Sequence, residues 1–536
     1  MPVSSLGRSS ALIGAGTIVS RVTGLVRNVV LAAALGVIPS PAANAFGIAN
    51  QLPNSIFALI SSGLLAGIIV PQIVKAVRTH ADGGSGFVSK LMTLGVVVLA
   101  AVTALAMIAA PLLVLVYGGG FSSEGRALAL ALAYWCLPQL FFYGLYALVG
   151  EALNARRIFG PFAWSPIINN VVSIIGFGAF IWLFGLHRSA TGWTSGMIAL
   201  LGGTATLGIV LQAVVLLLFW RRAGLHVRPD FQWRGIGLRH IGRLAGWTFL
   251  MVVASQIAGA VQANLVSGAS EVGAANFALQ NAWLVFMLPF SVIVLALGTP
   301  YYTQLSEHVA EGRTDAVTAD LSTLTRTIGV FMVGILGAMI AASIPLSRPF
   351  TASAEEAVGL AWVLGAYLLA LLPLSFQFGI QRTFYALGDT RTPFLYTLVQ
   401  AVLVVATALI ASATLPLTWL AVGIALGQSV SNIVQFALAI VLLRRKLGRA
   451  LGLGGAARAV LRFVVAAIPA TAVGWLTFEL LGGTSGWPAS DRLAGFLAAA
   501  VIGIVTLAVY VVLLAILRAP ELQTAVRALR RFLPGR

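Results

Sequence analysis

Long apolar runs separated by short polar stretches recur from one end of the chain to the other. A helix rises about 1.5 Å per residue and the hydrocarbon core of a bilayer is about 30 Å thick, so about 20 apolar residues span it. Fourteen such runs can be marked, near residues 11–36, 43–74, 87–117, 126–150, 159–184, 192–220, 241–268, 273–303, 320–345, 356–387, 393–413, 416–443, 458–482 and 490–517. The alternation that would mark the strands of a membrane barrel is missing. The pattern therefore predicts an all-α polytopic membrane protein with 14 transmembrane helices. Helices 2 and 8 exceed what a bilayer requires and contain Pro53 and Pro289, which predicts tilt or kinks there.

The basic residues test that count. With the N-terminus in the cytoplasm, the inner loops and tails hold 27 of the 33 lysines and arginines, including the clusters Arg221 to Arg243, Arg444 to Arg462 and Arg518 onward. The outer loops hold only Arg126, Arg188, Arg348 and Arg492. This bias fits an even number of spans with both ends inside. The last two arginines, Arg21 and Arg27, lie inside helix 1.

Three short echoes indicate an internal repeat. SRVTGLVRN at Ser20 to Asn28 corresponds to SQIAGAVQ at Ser255 to Gln262, LPNS at Leu52 to LPFS at Leu288, and Gly160-Pro161-Phe162 to Thr392-Pro393-Phe394, all at offsets of 232 to 236. Six helices separate the copies, so both begin on the same side. This predicts two parallel six-helix lobes, 1–222 and 223–446, related by a pseudo-twofold axis along the membrane normal. Helices 13 and 14 at 447–518 and a basic cytoplasmic tail at 519–536 stand outside the repeat. In such an arrangement helices 1 and 7 would face one another across a central cavity.

Composition agrees with the pattern: of 536 residues 59% are hydrophobic and 9% charged, and the mean hydropathy of +0.97 excludes a soluble domain. The formal charge of +18 lies in short loops between spans rather than on one compact domain, so a membrane explains it and a nucleic-acid partner is not expected. Cys136 is the single cysteine, which excludes a disulfide framework and predicts a buried structural thiol. The segment before the first apolar run is short and polar, and helix 1 is expected to remain in place rather than be cleaved as a signal.

Helix 1 holds the candidate chemistry. At about 100° per residue, Ser20, Gly24, Arg27, Asn28 and Arg21 fall within a sector of about 120°, one face of the helix. A charge at mid-bilayer costs roughly 2.5 to 3.5 kcal/mol on insertion scales, so such residues are functional candidates by default. All fifteen Asp and Glu residues lie in loops or near helix ends, leaving Arg21 and Arg27 without a carboxylate at their depth. An unpaired guanidinium suits bidentate binding of phosphate. The competing role for such arginines is bonding to carbonyls of broken helices, or snorkelling to an interface. Absence of an acid within the spans also argues against a proton-coupled cation exporter.

Other polar residues are weaker signals. Asn54 beside Pro53, Gln256 and Asn281 are candidate cavity contacts, whereas Asn44, Asn50, Gln51, Asn169, Asn170 and the helix 12 group from Gln428 to Gln435 suit interhelical hydrogen bonding. The five histidines, His80, His187, His226, His240 and His308, sit in loops or at helix ends without metal-ligand spacing and are expected to be solvated. No Walker motif is present, so ATP hydrolysis is not expected and the chain reads as a transporter, not an enzyme.

Taken in order, SRVTGLVRN, ANQLPN at Ala49 to Asn54, ALNARRIFGPFAWSPIINN at Ala152 to Asn170 and FYALGDTRTP at Phe384 to Pro393 resemble the MurJ/MviN lipid II flippases of the multidrug/oligosaccharidyl-lipid/polysaccharide exporter superfamily, most of all its actinobacterial branch. The resemblance covers the whole chain. It implies fourteen helices and alternating access that carries undecaprenyl-pyrophosphoryl muropeptide from the inner to the outer leaflet of the bacterial cytoplasmic membrane. On that reading Ser20, Arg21, Arg27, Asn28, Asn54, Gln256 and Asn281 bind substrate, with Arg21 and Arg27 on the pyrophosphate. Asp389 resembles one member of a sodium site in part of the family, although helix 7 supplies no matching Asp. The resemblance also marks departures. Asn44 stands where many members have an acid, Phe57 or Ala58 where they have a basic residue, Ser62 where a glutamate is common, and Trp283 or Leu284 where helix 8 carries an arginine.

The leading expectation is therefore a lipid-linked anion flippase without cofactor, coupled to membrane potential or to a sodium or proton gradient. Two alternatives stand beside it. One is an exporter of another polysaccharide-lipid or amphipathic substrate on the same fold, and the other is a non-transporting scaffold that recruits cell-wall synthesis proteins through its basic loops. A scaffold would tolerate loss of Arg21 and Arg27; a flippase would not.

Overall fold

The computed structural model describes residues 3–64, 85–156, 158–220, 224, 228–232, 238–448 and 451–522, and their side chains apart from 3–14, 62–64 and 238–245. Among the described residues every regular element is helical. The first half contains α1 (Val3–Leu35), α2 (Pro41–Leu64), α3 (Ser85–Ile108, continued by Ala110–Gly118), α4 (Ser123–Cys136, then Gln139–Ala155), α5 (Gly160–Phe184), α6 (Ser195–Leu218) and α7 (Leu238–Ser267). The second half contains α8 (Asn276–Pro289, a π turn at Phe290–Val294, then Leu295–Ala310), α9 (Thr314–Ala341), α10 (Ala354–Leu368, then Leu371–Ala386) and α11 (Arg391–Thr414). It ends with α12 (Leu417–Leu447), α13 (Gly454–Leu480) and α14 (Arg492–Ile516).

Among the described residues thirteen of these helices are long and apolar enough to cross a membrane; α2 is the fourteenth in the expected order. Its described part is lowered in hydropathy by Asn44, Asn50, Gln51 and Asn54, and the expected continuation to residue 74 lies outside the described residues, as do Lys75 and Arg78. The basic clusters between Arg221 and Arg243 and beyond residue 522 fall largely outside them too.

The helix ends follow local chemistry. Ser122 caps α4 by accepting from Gly125 N–H, Thr194 caps α6 by accepting from Met197 N–H, and Asp491 caps α14 by accepting from Leu493 and Ala494 N–H. At α10, Ser353 accepts from Glu356 N–H while Glu356 accepts from Ala352 N–H, close to a capping box. α12 ends with Arg444, Arg445 and Lys446 in its last turn, where the dipole favours cations. The kink expected at Pro289 takes the form of the π turn that follows it.

Two compact units make up the chain, Met1–Glu271 and Val272–Arg536. Within the first, α1 packs along α5, α5 on α6, α2 on the first half of α4, α3 on its second half, and α7 on α2 and the end of α3. Within the second, α11 packs on α12, α8 on the first half of α10, α9 on its second half, and α13 and α14 on α9 and each other. The pairs α5–α6, α2–α4 and α3–α4 thus recur as α11–α12, α8–α10 and α9–α10, as an internal repeat requires. Even the breaks correspond: α4 is interrupted at Leu137 and α10 at Leu369, 232 residues apart. The division after Glu271 differs from the sequence boundary at 222, because α7 is bonded to α2 and α3 of the first unit.

Each unit has its own buried apolar clusters. Val88, Leu99, Leu148, Val149, Leu153 and Leu216 join α3, α4 and α6, and Val330, Val333, Phe463, Tyr510 and Leu514 join α9, α13 and α14. Large apolar side chains such as Trp182, Ile108 and Leu480 point outward, as a lipid-facing surface requires.

Candidate functional site

The small-residue part of the α1 polar face is a helix-packing surface. Asn170 of α5 donates from Nδ2 to the Ser20 carbonyl at 3.0 Å and to Thr23 Oγ1 at 3.0 Å, while Thr23 Oγ1 donates back to the Val19 and Ser20 carbonyls. A side chain at Gly24 would come into van der Waals contact with the Asn170 amide, and one at Gly16 would collide with the Trp164 indole. The Ser20 carbonyl, Thr23 and Gly24 therefore hold α1 against α5.

Arg21 and Arg27 sit beside that seam. Arg21 is exposed, with no hydrogen bond or ion pair to its guanidinium among the described residues. Arg27 is half-buried, and its Nε and Nη2 reach Asn28 Oδ1 at 3.4 and 3.3 Å, which is long for a charge-assisted bond. Neither arginine pairs with a carboxylate among the described residues, as the placement of the acids predicts.

Behind Arg27 lies a polar chain that sequence reasoning missed. Tyr143 of α4 is its electrostatic neighbour. The Tyr143 hydroxyl reaches Gln139 Oε1 at 3.4 Å, and the buried Gln139 donates from Nε2 to Asn50 Oδ1 at 3.2 Å and to Thr206 Oγ1 at 3.1 Å. Thr206 donates in turn to the Trp135 carbonyl at 2.6 Å. The α4 break after Cys136 makes this possible, since it ends one helix at a carbonyl and starts the next with Gln139. Phe57 stacks on Tyr143 with ring centroids 6.0 Å apart. The signal available in the sequence was Pro138-Gln139 inside an apolar run.

The amides of α7 bond to backbone. Gln256 Nε2 donates to the Ser55 carbonyl at 2.7 Å, two residues past Pro53. Asn264 Nδ2 donates to the Leu115 and Val116 carbonyls at 3.0 and 2.9 Å, and Ser267 Oγ accepts from Gly120 N–H at 2.9 Å. That approach needs Gly120, where a Cβ would lie 2.7 Å from the Gly268 nitrogen. Asn54 is exposed on α2. The first unit thus bonds Arg27 to Asn28, joins Tyr143 to Asn50 through Gln139, and ties Gln256 to the Pro53 turn near Asn54.

Asn281 belongs to the second unit. It is buried and turned onto its own helix, Nδ2 donating to the Phe277 carbonyl at 2.8 Å, and its Oδ1 has no partner among the described residues. Beside it, Trp283 packs with Phe286 and Tyr367. Asp389 accepts from Thr392 N–H at 2.9 Å and Thr392 Oγ1 at 2.8 Å and pairs with Lys446 at 3.2 Å. Partial burial pushes its carboxyl up, but the bonds from Thr392 and Lys446 outweigh that and hold it below the usual range. Its oxygens cap α11 and anchor Lys446.

Three residues depart from the sequence expectation. His308 is not solvated: its Nδ1 lies 2.6 Å from Oδ2 of Asp320, a buried carboxylate in α9 whose Oδ1 accepts from Gln304 at 2.8 Å. The turn between α8 and α9 is tight enough to bring these side chains together. His187 is half-buried, edge-on to Trp193 and bonded to the Thr191 carbonyl. The side chains of His80, His226 and His240 lie outside the described residues. Arg348, assigned to an outer loop, is buried and donates to the Ala489, Thr351 and Ser490 carbonyls at 2.7, 2.7 and 3.0 Å. Cys136 is free and buried, as expected.

Chemically, α1 offers in Arg21 and Arg27 two guanidiniums with no acid among the described residues, one open and one beside the Asn28 amide. The arrangement has no nucleophile–base pair, and no group of His, Cys, Asp and Glu that could hold a metal ion occurs among the described residues. It is suited to holding an anion.

Comparison with known proteins gives the lineage. The chain matches a solved structure titled as the lipid II flippase MurJ in an inward closed conformation, with TM-score 0.71 and 21% identity over 93% of this chain and 97% of that one, which establishes the fold. Among curated relatives, a probable lipid II flippase MurJ of Rhizobium meliloti is 27% identical over 520 residues, 92% of each chain. One of Rickettsia prowazekii is 26% identical over 417 residues, 74% of this chain and 77% of that one. The model of the lipid II flippase MurJ family matches residues 31–485, from the end of α1 through α13. The match starts beyond Arg27, so it stands independently of the two arginines, and on it the chain belongs to the MurJ family of lipid II flippases.

Proposed function

We propose that this protein carries the lipid-linked peptidoglycan precursor from the inner to the outer leaflet of the bacterial cytoplasmic membrane by alternating access, both chain ends facing the cytoplasm. The observation that carries the site assignment is the pair of α1 guanidiniums without a carboxylate. A pyrophosphate supplies the charge that the protein withholds and accepts paired N–H donors in a planar fork. Arg21, being exposed, makes first contact with the head group. Arg27, bonded to Asn28, receives it more deeply, and Asn54 and Gln256 adjoin the path at the Pro53 turn. The tail stays in lipid, which keeps the costly transfer confined to the polar head. Movement is driven by membrane potential or by a sodium or proton gradient, since no ATP site contributes.

The test is complementation of a strain depleted of its lipid II flippase by the wild type, Arg21→Ala and Arg27→Ala at equal membrane levels. Rescue by the wild type and by neither variant is the expected result. Rescue by all three would move the function away from the arginines, and failure of the wild type itself would favour another substrate or a scaffold that recruits cell-wall synthesis proteins.

A further inference from the structure

The second unit contains a guanidinium held in an unusual way. Arg382, one turn before the end of α10, is half-buried, with its Cζ 4.9 Å from the ring centroid of Phe378, 5.3 Å from that of Tyr302 on α8 and 6.0 Å from that of Tyr385. Gly298 sets this geometry: a Cβ there would lie 2.2 Å from the Phe378 ring, so only glycine lets that ring lie against α8, with Tyr302 one turn further on. Gln381 donates to the Tyr385 hydroxyl at 3.1 Å and steadies the third ring.

Aromatic faces attract the cation but accept no N–H bond in the guanidinium plane. Among the described residues no acceptor or carboxylate bonds Arg382. Two acids on adjoining elements are committed elsewhere, Asp320 to His308 and Gln304, and Asp389 to Thr392 and Lys446. Arg348 in the same unit is the contrast, bonded to three carbonyls. The rings therefore fix the position and orientation of the Arg382 plane and leave its donor edge unfilled, which is the preorganisation that bidentate phosphate recognition uses.

Depth identifies the form of the anion. Arg382 lies four residues, about 6 Å of helix rise, from the end of α10 at Ala386. Tyrosines gather at that level in membrane proteins, and lipid phosphates lie there. We infer that Arg382, framed by Tyr302, Phe378 and Tyr385, is a binding site for the phosphoryl group of a membrane lipid. This goes beyond the transport reading and does not depend on Arg21 or Arg27. The phosphoryl group can belong to a bulk anionic phospholipid or to a polyprenyl diphosphate, and the site chemistry is the same for both.

The test is native mass spectrometry of the full-length protein in detergent, titrated separately with phosphatidic acid, phosphatidylglycerol, phosphatidylcholine and undecaprenyl diphosphate. Wild type, Arg382→Gln and Arg382→Lys are compared, with Arg458→Gln, whose side chain bonds only its own helix, as a charge control. The expected result is one anionic lipid retained at least about fivefold more tightly by wild type and Arg458→Gln than by Arg382→Gln, with Arg382→Lys between them because a lysine cannot bind two oxygens in a fork. A difference seen with phosphatidic acid or phosphatidylglycerol assigns the site to bulk lipid; one confined to undecaprenyl diphosphate assigns it to a polyprenyl carrier. Equal retention by wild type and Arg382→Gln overturns the inference. If Arg382→Gln does not fold, the wild type alone decides: no preference for the anionic lipids over phosphatidylcholine overturns it equally.

Discussion

Helices α1 and α7 are counterparts in the repeat, and the first unit treats their polar residues in opposite ways. In α7, Gln256 and Asn264 donate to carbonyls of α2 and α3 at 2.7 to 3.0 Å. In α1, Arg27 has only long bonds to its neighbour Asn28, and Arg21 is open. An amide is neutral, so carbonyl dipoles satisfy its N–H donors. A guanidinium needs either several carbonyls or an anion, and Arg348 of the second unit shows the first solution, with three. Arg21 and Arg27 have neither among the described residues, so within one architecture α7 is a tether, and on the proposed reading α1 is the helix that takes the anion.

That comparison breaks most sharply at Arg348. Arg348→Ala strands the carbonyls of Ala489 and Ser490 and leaves Thr351 with the weaker bond from Arg492, so a loss of about 3 kcal/mol or more is expected at 1 to 3 kcal/mol per unsatisfied buried group. Thermal melts of the purified protein check it, and an unchanged midpoint would remove Arg348 as a reference for structural arginines. Next comes Arg27→Ala, for which the loss should fall on transport: about 10- to 100-fold in head-group affinity or flipping, as for one charged hydrogen-bonding group, with the melting midpoint unmoved. A large drop in stability with transport preserved would place Arg27 with Arg348.

The sequence made the helices legible because lipid removes every alternative: apolar runs of spanning length can only be helices, and caps such as Asp491 and Ser353 end them by local chemistry. The arginines were equally visible, since a charge in an apolar run is rare for a physical reason. What could not be read was which polar residues meet. Asn170 clasps α1, Gln139 meets Asn50 and Thr206, and His308 meets Asp320 through helix contacts and breaks that leave no periodic trace. The repeat foretold that α7 would carry the α1 polar pattern. It could not foretell that the amide standing for Arg21, Gln256, turns onto the backbone.

Asn170→Leu tests the other side of α1. It removes two bonds at 3.0 Å that fix the helix bearing both arginines, and interhelical bonds inside membranes average about 0.6 kcal/mol with an upper range near 1.7. A stability loss of about 1 to 2 kcal/mol is expected, together with a partial transport defect because α1 can then rotate on α5. Full transport with reduced stability would show that the arginines do not need a fixed helix.

The smallest effect should come from Gln256→Ala, which makes α7 worse as a tether without touching charge. One bond to the Ser55 carbonyl is lost, worth about 0.6 kcal/mol in this environment, and Asn264 and Ser267 still anchor the far end of the helix. Growth in the complementation assay should be close to wild type. Gln256→Arg sharpens the result, because it restores at the α7 position the residue type that α1 has at Arg21. If Gln256→Arg matches Gln256→Ala in stability and leaves transport intact, the Ser55 carbonyl and its surroundings cannot distinguish amide from cation and the contrast between the two helices is one of sequence alone. If it lowers transport more than Gln256→Ala does, α7 has to remain neutral for an anion held by α1 to be released.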